Sequence, residues 1–245
     1  VGFDHYGILV YCRPDVCWRD WTNLRMEALS YRRMFGTPER VVVSSFYPAP
    51  ARFEGVSVVA PILRSEIRGT RPSDGEHLLV YLNNARHQFT PRMRRTLESY
   101  PGPVRVYGLD ARATEGNLDF RPFSNLPFVE DLASCRAVLS TAGNQLVGEA
   151  MYFGKPMLVI PERTVEQRLN ARALTRLGIG MSTTLRRLGP AVLSAFMERR
   201  EAFARNIVRA VRDGWNDAVA IIEGHVADLT AAGPKTRMHP AHETA

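Results

Sequence analysis

Cysteine is scarce: three residues, Cys12, Cys17 and Cys135, with no Cys-x-x-Cys pair. That odd and unpaired set argues against a disulfide framework and against a structural zinc site, and it suits a reducing cytoplasm. Long apolar runs are also missing. The longer ones, such as Met157–Ile160, are strand-sized, so no segment reads as a membrane span. No charged n-region or apolar h-region opens the chain, which begins Val1-Gly-Phe-Asp without methionine; a fragment or trimmed chain is the expectation. Nowhere do two aspartates stand two residues apart. Lysine is nearly absent: of 32 basic residues only Lys155 and Lys235 are not arginine. The net charge of +7 favours anionic partners, among them nucleotide diphosphates and an acidic membrane face. The arginines are interspersed with acids and form no basic–aromatic motif, so nucleic acid is not expected as a partner.

What is present centres on Ser140-Thr-Ala-Gly-Asn-Gln-Leu-Val-Gly-Glu-Ala-Met-Tyr-Phe-Gly-Lys-Pro-Met-Leu-Val-Ile-Pro161. The apolar run Ala137–Ser140 predicts a strand, Gly143 a tight turn, Asn144–Phe153 a helix stopped by Gly154, and Met157–Ile160 a second strand. Gly143 thus stands between a strand's carboxyl end and a helix's amino end. Unpaired N–H groups of Ala142, Gly143 and Asn144, with the Thr141 hydroxyl, suit a phosphate there. Glu149, six residues on, is placed to accept hydrogen bonds from a ribose diol.

This stretch resembles the donor-binding segment of GT-B glycosyltransferases, which take sugar from a nucleotide diphosphate. It is most similar to the bacterial branch containing the N-acetylglucosaminyltransferase of peptidoglycan synthesis. Gly143, Glu149, Gly154, Pro156 and Pro161 match the pattern, and Glu166-Gln167 matches the acidic-Gln pair that holds the donor sugar's hydroxyls in that family. Thr141 and Gln145-Leu146 depart from the plant-type branch. The resemblance implies that Arg64 lies near the phosphates and that Asn83 and Asn84 approach the diphosphate. It also implies that Ser124 meets the base edge through its backbone, Phe123 being assigned to the core. It implies an inverting, metal-independent transfer from a UDP-sugar to a hydroxyl, with no cofactor. The missing Asp-x-Asp pair fits that picture, since GT-A enzymes use it to hold a metal. His5 is the histidine to test as general base. A lipid-linked or cell-envelope acceptor and peripheral membrane contact are further expectations.

Around this centre, strands and helices alternate: strands at Val56–Val59, His77–Leu82, Val104–Tyr107 and Leu118–Pro122, and helices at Thr90–Ser99, Pro127–Ser134, Val165–Leu177, Pro190–Arg212 and Trp215–Thr230. Such βα alternation predicts an α/β fold with a Rossmann-like parallel sheet and helices on both faces. Before the proline-rich Tyr47–Ala51, only a helix at Asp20–Phe35, a strand at Arg40–Phe46 and the ambiguous run Tyr6–Tyr11 appear. Asp20 is the expected N-cap of that helix, and Gly36-Thr-Pro38 its stop. Residues 1–50 therefore read as the end of an acceptor-side domain plus linker, 51–231 as a donor-binding domain, and 232–245 as a disordered tail. Two alternatives belong to other classes. One is a non-catalytic nucleotide-sugar-binding subunit that needs a separate acceptor-side chain. The other, a UDP-sugar 2-epimerase, lacks the expected cluster of acid–base side chains.

Overall fold

The computed structural model describes residues 1–36, 38–110, 113–210 and 213–231; the expected tail at 232–245 lies outside them. Two parallel sheets carry the architecture. The first has three strands in the order β1 (Gly2–Asp4), β2 (Val41–Ser44), β3 (Val56–Val59). Two helices join its first strands, α1 (Gly7–Tyr11) and α2 (Trp21–Phe35), the latter preceded by a 3₁₀ turn at Trp18–Asp20. The run Tyr6–Tyr11 is therefore largely helical, because both faces of its single turn are buried and no alternation is required. Asp20 stands at the N-cap position but makes no cap bond; its carboxylate holds Arg168 instead, at 2.7 Å. Gly36 ends α2 at φ +72°, where a side chain would be strained.

The chain crosses at Ala60–Arg64 to a short helix, α3 (Ser65–Gly69), and then builds a six-stranded sheet. In chain order its elements are β4 (Leu78–Tyr81), α4 (Ala85–Gln88), α5 (Pro91–Glu98), β5 (Val104–Tyr107), β6 (Leu118–Phe120), α6 (Asn125–Ser134) and β7 (Ala137–Ser140), then α7 (Asn144–Tyr152), β8 (Met157–Val159), α8 (Val165–Arg176), β9 (Gly180–Ser182) and α9 (Pro190–Glu198). The strand order is β6-β5-β4-β7-β8-β9, all parallel. Helices α10 (Arg200–Ala210) and α11 (Trp215–Ala231) follow, with α11 returning to pack on β2 and β3. Thus the helix expected over Pro190–Arg212 is two helices, broken at Arg199.

The strand predicted at Val56–Val59 forms, but it completes the first sheet, so the change of sheet falls after Val59 rather than in the proline-rich segment. The sixth strand of the larger sheet is β9, which its glycine-containing sequence did not announce. Apolar side chains fill both faces of that sheet. Met93, Leu97, Leu193 and Phe196 of α5 and α9 cover one. Val129, Leu132, Val147, Ala150, Leu169 and Leu174 of α6, α7 and α8 cover the other, in a core that runs on to Ile8, Leu9 and Val43 of the first sheet. Gly148 of α7 packs tightly on Pro61 of the crossing segment. A Cβ there would meet Pro61 at 2.7 Å.

Candidate active site

In an open parallel sheet, loops diverge where the strand order reverses, leaving a crevice at the strands' carboxyl ends. Here the reversal lies between β4 and β7. Asn83 follows one and Thr141 the other, and Asn83 Nδ2 donates to Thr141 Oγ1 at 3.0 Å. A cleft of about 860 Å³ opens above them, walled by Asp4 and His5 of the first sheet's edge on one side and by α7 and the start of α8 on the other.

Gly143 is the N-cap of α7 at φ −68°. That is ordinary backbone, so the turn itself does not demand glycine, contrary to the sequence expectation. The space in front of it is what matters: a Cβ built there meets nothing within 4 Å and would project into the opening. Glycine contributes no capping side chain, and among the described residues no acceptor takes the N–H of Gly143, Gln145 or Leu146. These amides and the positive end of the helix face the cleft unspent. Ala142 differs. Its N–H donates to Gln167 Oε1 at 3.3 Å, and its carbonyl accepts from Asn170 Nδ2 at 2.8 Å. It shapes the loop and is not a free donor. Gln167 is likewise committed. Its Oε1 also accepts from the Glu162 N–H at 2.8 Å and its amide donates to Glu162 Oε2 at 3.1 Å, so it buttresses the loop from behind.

Glu149 lines the cleft and is 2% exposed. Its carboxylate accepts a two-pronged pair from Arg64, Nε to Oε1 at 2.9 Å and Nη2 to Oε2 at 3.0 Å, and a third bond from Gln145 Nε2 at 2.9 Å. Arg64 Nη1 donates to Asn125 Oδ1, whose amide donates to Glu66 Oε1 at 2.7 Å. The arginine expected at the phosphates is therefore spent on the acid expected at the ribose. Paired planar groups of this kind are strong and directional.

Across the cleft, His5 stands between two carboxylates, with Nδ1 3.5 Å from Asp4 and Nε2 3.7 Å from Glu166. Asp4 accepts from Tyr31 Oη and from the Tyr6 N–H. Burial pushes the Glu166 carboxyl above its ordinary value, opposed by His5, by Asn170 and by the Asn144 N–H.

Two expected contacts lie elsewhere. Asn84 caps α4 outside the cleft, its N–H bonded to Gln88 Oε1 at 3.2 Å. Ser124 precedes α6, is exposed, and is not part of the lining. Phe123, assigned to the core, is instead 58% exposed and faces the cleft, with its ring 5.9 Å from that of Tyr81 and 5.5 Å from that of Phe128. An exposed phenylalanine held by two rings was not visible in the sequence. Asn125 and Tyr81 were also missed.

The model of glycosyl transferase family 1 matches residues 3–200. The chain belongs to that family. Solved structures agree on the fold. The calicheamicin glycosyltransferase CalG4 superposes with a TM-score of 0.60 at 23% identity, covering 86% of this chain and 60% of its own. The glycosyltransferase of kitacinnamycin gives 0.63 at 18%, covering 82% and 61%. MurG of Acinetobacter baumannii gives 0.53 at 11%, covering 82% and 71%. No match was found among curated proteins. This family 1 chain spans about 60% of the length of the first two. Among its described residues no helix is long and apolar enough to cross a membrane.

Proposed function

We propose that this family 1 chain binds a nucleotide-diphospho-sugar in the cleft and takes part in moving the sugar to a hydroxyl acceptor. The observation that carries the reading is the unspent amino end of α7 facing an open cleft at the sheet's reversal point, with a buried carboxylate beside it. The diphosphate would lie on the N–H groups of Gly143, Gln145 and Leu146. The ribose would lie against Glu149, and the base against Phe123. Uridine is our reading for that base, and kinship with the peptidoglycan-type branch our reading of its lineage. Residues from Ser65 onward would form the donor side, and the sheet of β1–β3 part of the acceptor side.

Transfer would proceed with inversion and without metal. The acceptor hydroxyl attacks the anomeric carbon, the bond to the diphosphate oxygen breaks, and the negative charge that develops on that oxygen meets the helix amides. His5 is the group we propose as base, oriented by Asp4. Glu166 would accept from the donor sugar's hydroxyls, with Gln167 fixing the loop. A hydroxyl on a lipid-linked acceptor, approached from a membrane surface, is the acceptor we favour.

A second reading is a non-catalytic nucleotide-sugar-binding subunit that works with a separate acceptor-side polypeptide. Calorimetry with UDP, dTDP and their sugars tests the shared step. Binding of a uridine sugar that weakens in Glu149→Gln is expected. Absence of any nucleotide binding would remove both readings. Transfer of sugar to an added acceptor by the isolated chain would decide for the first.

A further inference from the structure

We propose that Glu162 and Gln88 are positioning residues: the Glu162 carboxylate, held between two glutamine amides, locks the turn at 141–144 in place beneath the cleft. That the lock serves nucleotide binding rests on the sugar-transfer reading; the lock itself does not.

The turn lies between two neighbouring loops, since β7 stands between β4 and β8 in the sheet. Gln88 closes α4 in the loop after β4, and Glu162 follows β8. The two meet: Gln88 Nε2 donates to Glu162 Oε1 at 2.9 Å. Gln167, near the start of α8, donates its Nε2 to the other carboxylate oxygen at 3.1 Å. One carboxylate thus takes an amide from the β4 side of the turn and another from the β8 side. Both glutamines are buried, so water does not replace a partner that either of them loses. Glu162 itself is not part of the cleft lining, so it acts through the groups it holds.

A glutamine amide has two ends of opposite polarity and is free to turn over. The carboxylate removes that freedom. It accepts only, so both Nε2 groups must face it. Each Oε1 is thereby turned the other way. That of Gln88 accepts the Asn84 N–H at 3.2 Å; that of Gln167 accepts the N–H groups of Glu162 at 2.8 Å and Ala142 at 3.3 Å. Ala142 belongs to the turn, and Asn83, in the same loop as Gln88, holds Thr141 beside it at 3.0 Å. The place of the turn, and with it the aim of the free amides of Gly143, Gln145 and Leu146, therefore follows from one carboxylate behind the cleft. An amide at position 162 would present one oxygen and one NH2 group. One of the two glutamines would then face it donor to donor, and turning that glutamine over would set an NH2 group against a backbone N–H.

The test exchanges the two side chains. Glu162→Gln sets donor against donor, and Gln88→Glu sets carboxylate against carboxylate. Combined, they restore the match with the same atoms and the same charge. The carboxylate at position 88 accepts from the amide at position 162 and from the Asn84 N–H, and the oxygen of that amide accepts from Gln167. Amide hydrogen exchange reports on the turn without nucleotide. Each single variant should speed exchange at Ala142 at least about tenfold, the scale of a buried donor left unpaired, with Val106 of β5 unchanged. The double variant should bring Ala142 back to within about threefold of the unsubstituted protein. In calorimetry on the same samples, UDP affinity should fall about tenfold in each single variant and recover in the double. Unchanged exchange at Ala142 in both single variants, equal speeding at Val106, or a double variant no better than the singles would overturn the lock. If a single variant does not fold, melting of the double variant decides: a cooperative transition near that of the unsubstituted protein supports the lock, and its absence overturns it. Exchange that follows the swap with no UDP bound by any of the proteins supports the lock and removes the nucleotide reading. UDP affinity indifferent to all three variants overturns the role of the lock in binding.

Discussion

Glu149 offers a sharp test, because its two partners differ in how they face water. Its carboxylate is 3% exposed, whereas the Arg64 side chain is 34% exposed. Removing the arginine strands a charge in the interior with only Gln145 to hold it. Breaking a fully buried pair this way costs about 3–5 kcal/mol, and the partial exposure of Arg64 lowers the figure to about 2–3. Removing the charge instead is milder. In Glu149→Gln one carbonyl oxygen still accepts, and Arg64 turns to solvent, for a loss of about 1 kcal/mol. The double substitution Arg64→Ala with Glu149→Gln should lose less than the sum, since the stranded charge is gone. In melting experiments Arg64→Ala should lower Tm by roughly 5–10 °C, Glu149→Gln by only about 3 °C, and the double variant should recover part of the larger loss. Losses that simply add, within about 0.5 kcal/mol, would refute the coupling. Nucleotide affinity runs the other way round. Glu149→Gln should weaken UDP-sugar binding by ~1–3 kcal/mol, since a ribose hydroxyl loses an ionised acceptor.

The other expectations are briefer. Gly143→Ala should leave Tm unchanged, since φ is −68° and nothing lies within 4 Å, yet weaken UDP binding at least about tenfold as the methyl meets the phosphate; equal affinity would move the diphosphate elsewhere. Phe123→Ala should cost about 1–3 kcal/mol of nucleotide affinity by calorimetry if the base stacks there. Gly148→Ala should lower stability by about 1–3 kcal/mol in denaturant melts, because the added methyl collides with Pro61 of the crossing segment. Burial raises the Glu166 pKa in the folded chain above its unfolded value. Its contribution to stability is therefore complete below the ordinary glutamate range and is lost as pH rises through the folded value. Glu166→Gln should consequently flatten the fall in Tm across that window, and an unchanged pH profile would sink the assignment.

How much of this was legible follows from the range of each interaction. The strand–turn–helix around Gly143 is local. Its apolar runs, its glycine and Pro156 lie within some twenty consecutive residues, so the sequence shows it. Sheet membership is not local. Val56–Val59 has the same apolar composition as β4 or β5, and only the chain's later path sends it to β2. Strand β9 sits on the edge with a glycine at its start, where a Cβ would strike the Met157 carbonyl at 2.2 Å; its identity comes from packing, against β-propensity. The site divides the same way. Thr141, Gly143 and Asn144 sit on one turn, so their place at the cleft was readable, but the Asn144 N–H, expected to be free for a phosphate, is spent on the buried Glu166 carboxylate that the turn brings opposite it. The Arg64–Glu149 pair joins residues 85 positions apart, and no spacing rule foretells it.

That pair also explains how a cleft so poor in free cations can suit a dianion. Asp4, Glu149 and Glu166 line it, and the one arginine among the described lining residues, Arg64, is already engaged. A bound diphosphate would gain little from Arg64 unless the ribose displaced that side chain from Glu149. Hydrogen bonds from fixed amides are exempt from this competition, because the helix holds them in place whatever the carboxylates do. The affinity for UDP should accordingly depend weakly on salt, and Arg64→Gln should change that dependence little. A steep fall in affinity between low and physiological salt, abolished in Arg64→Gln, would show instead that the arginine leaves Glu149 for the phosphates, and that the amides hold only a minor share.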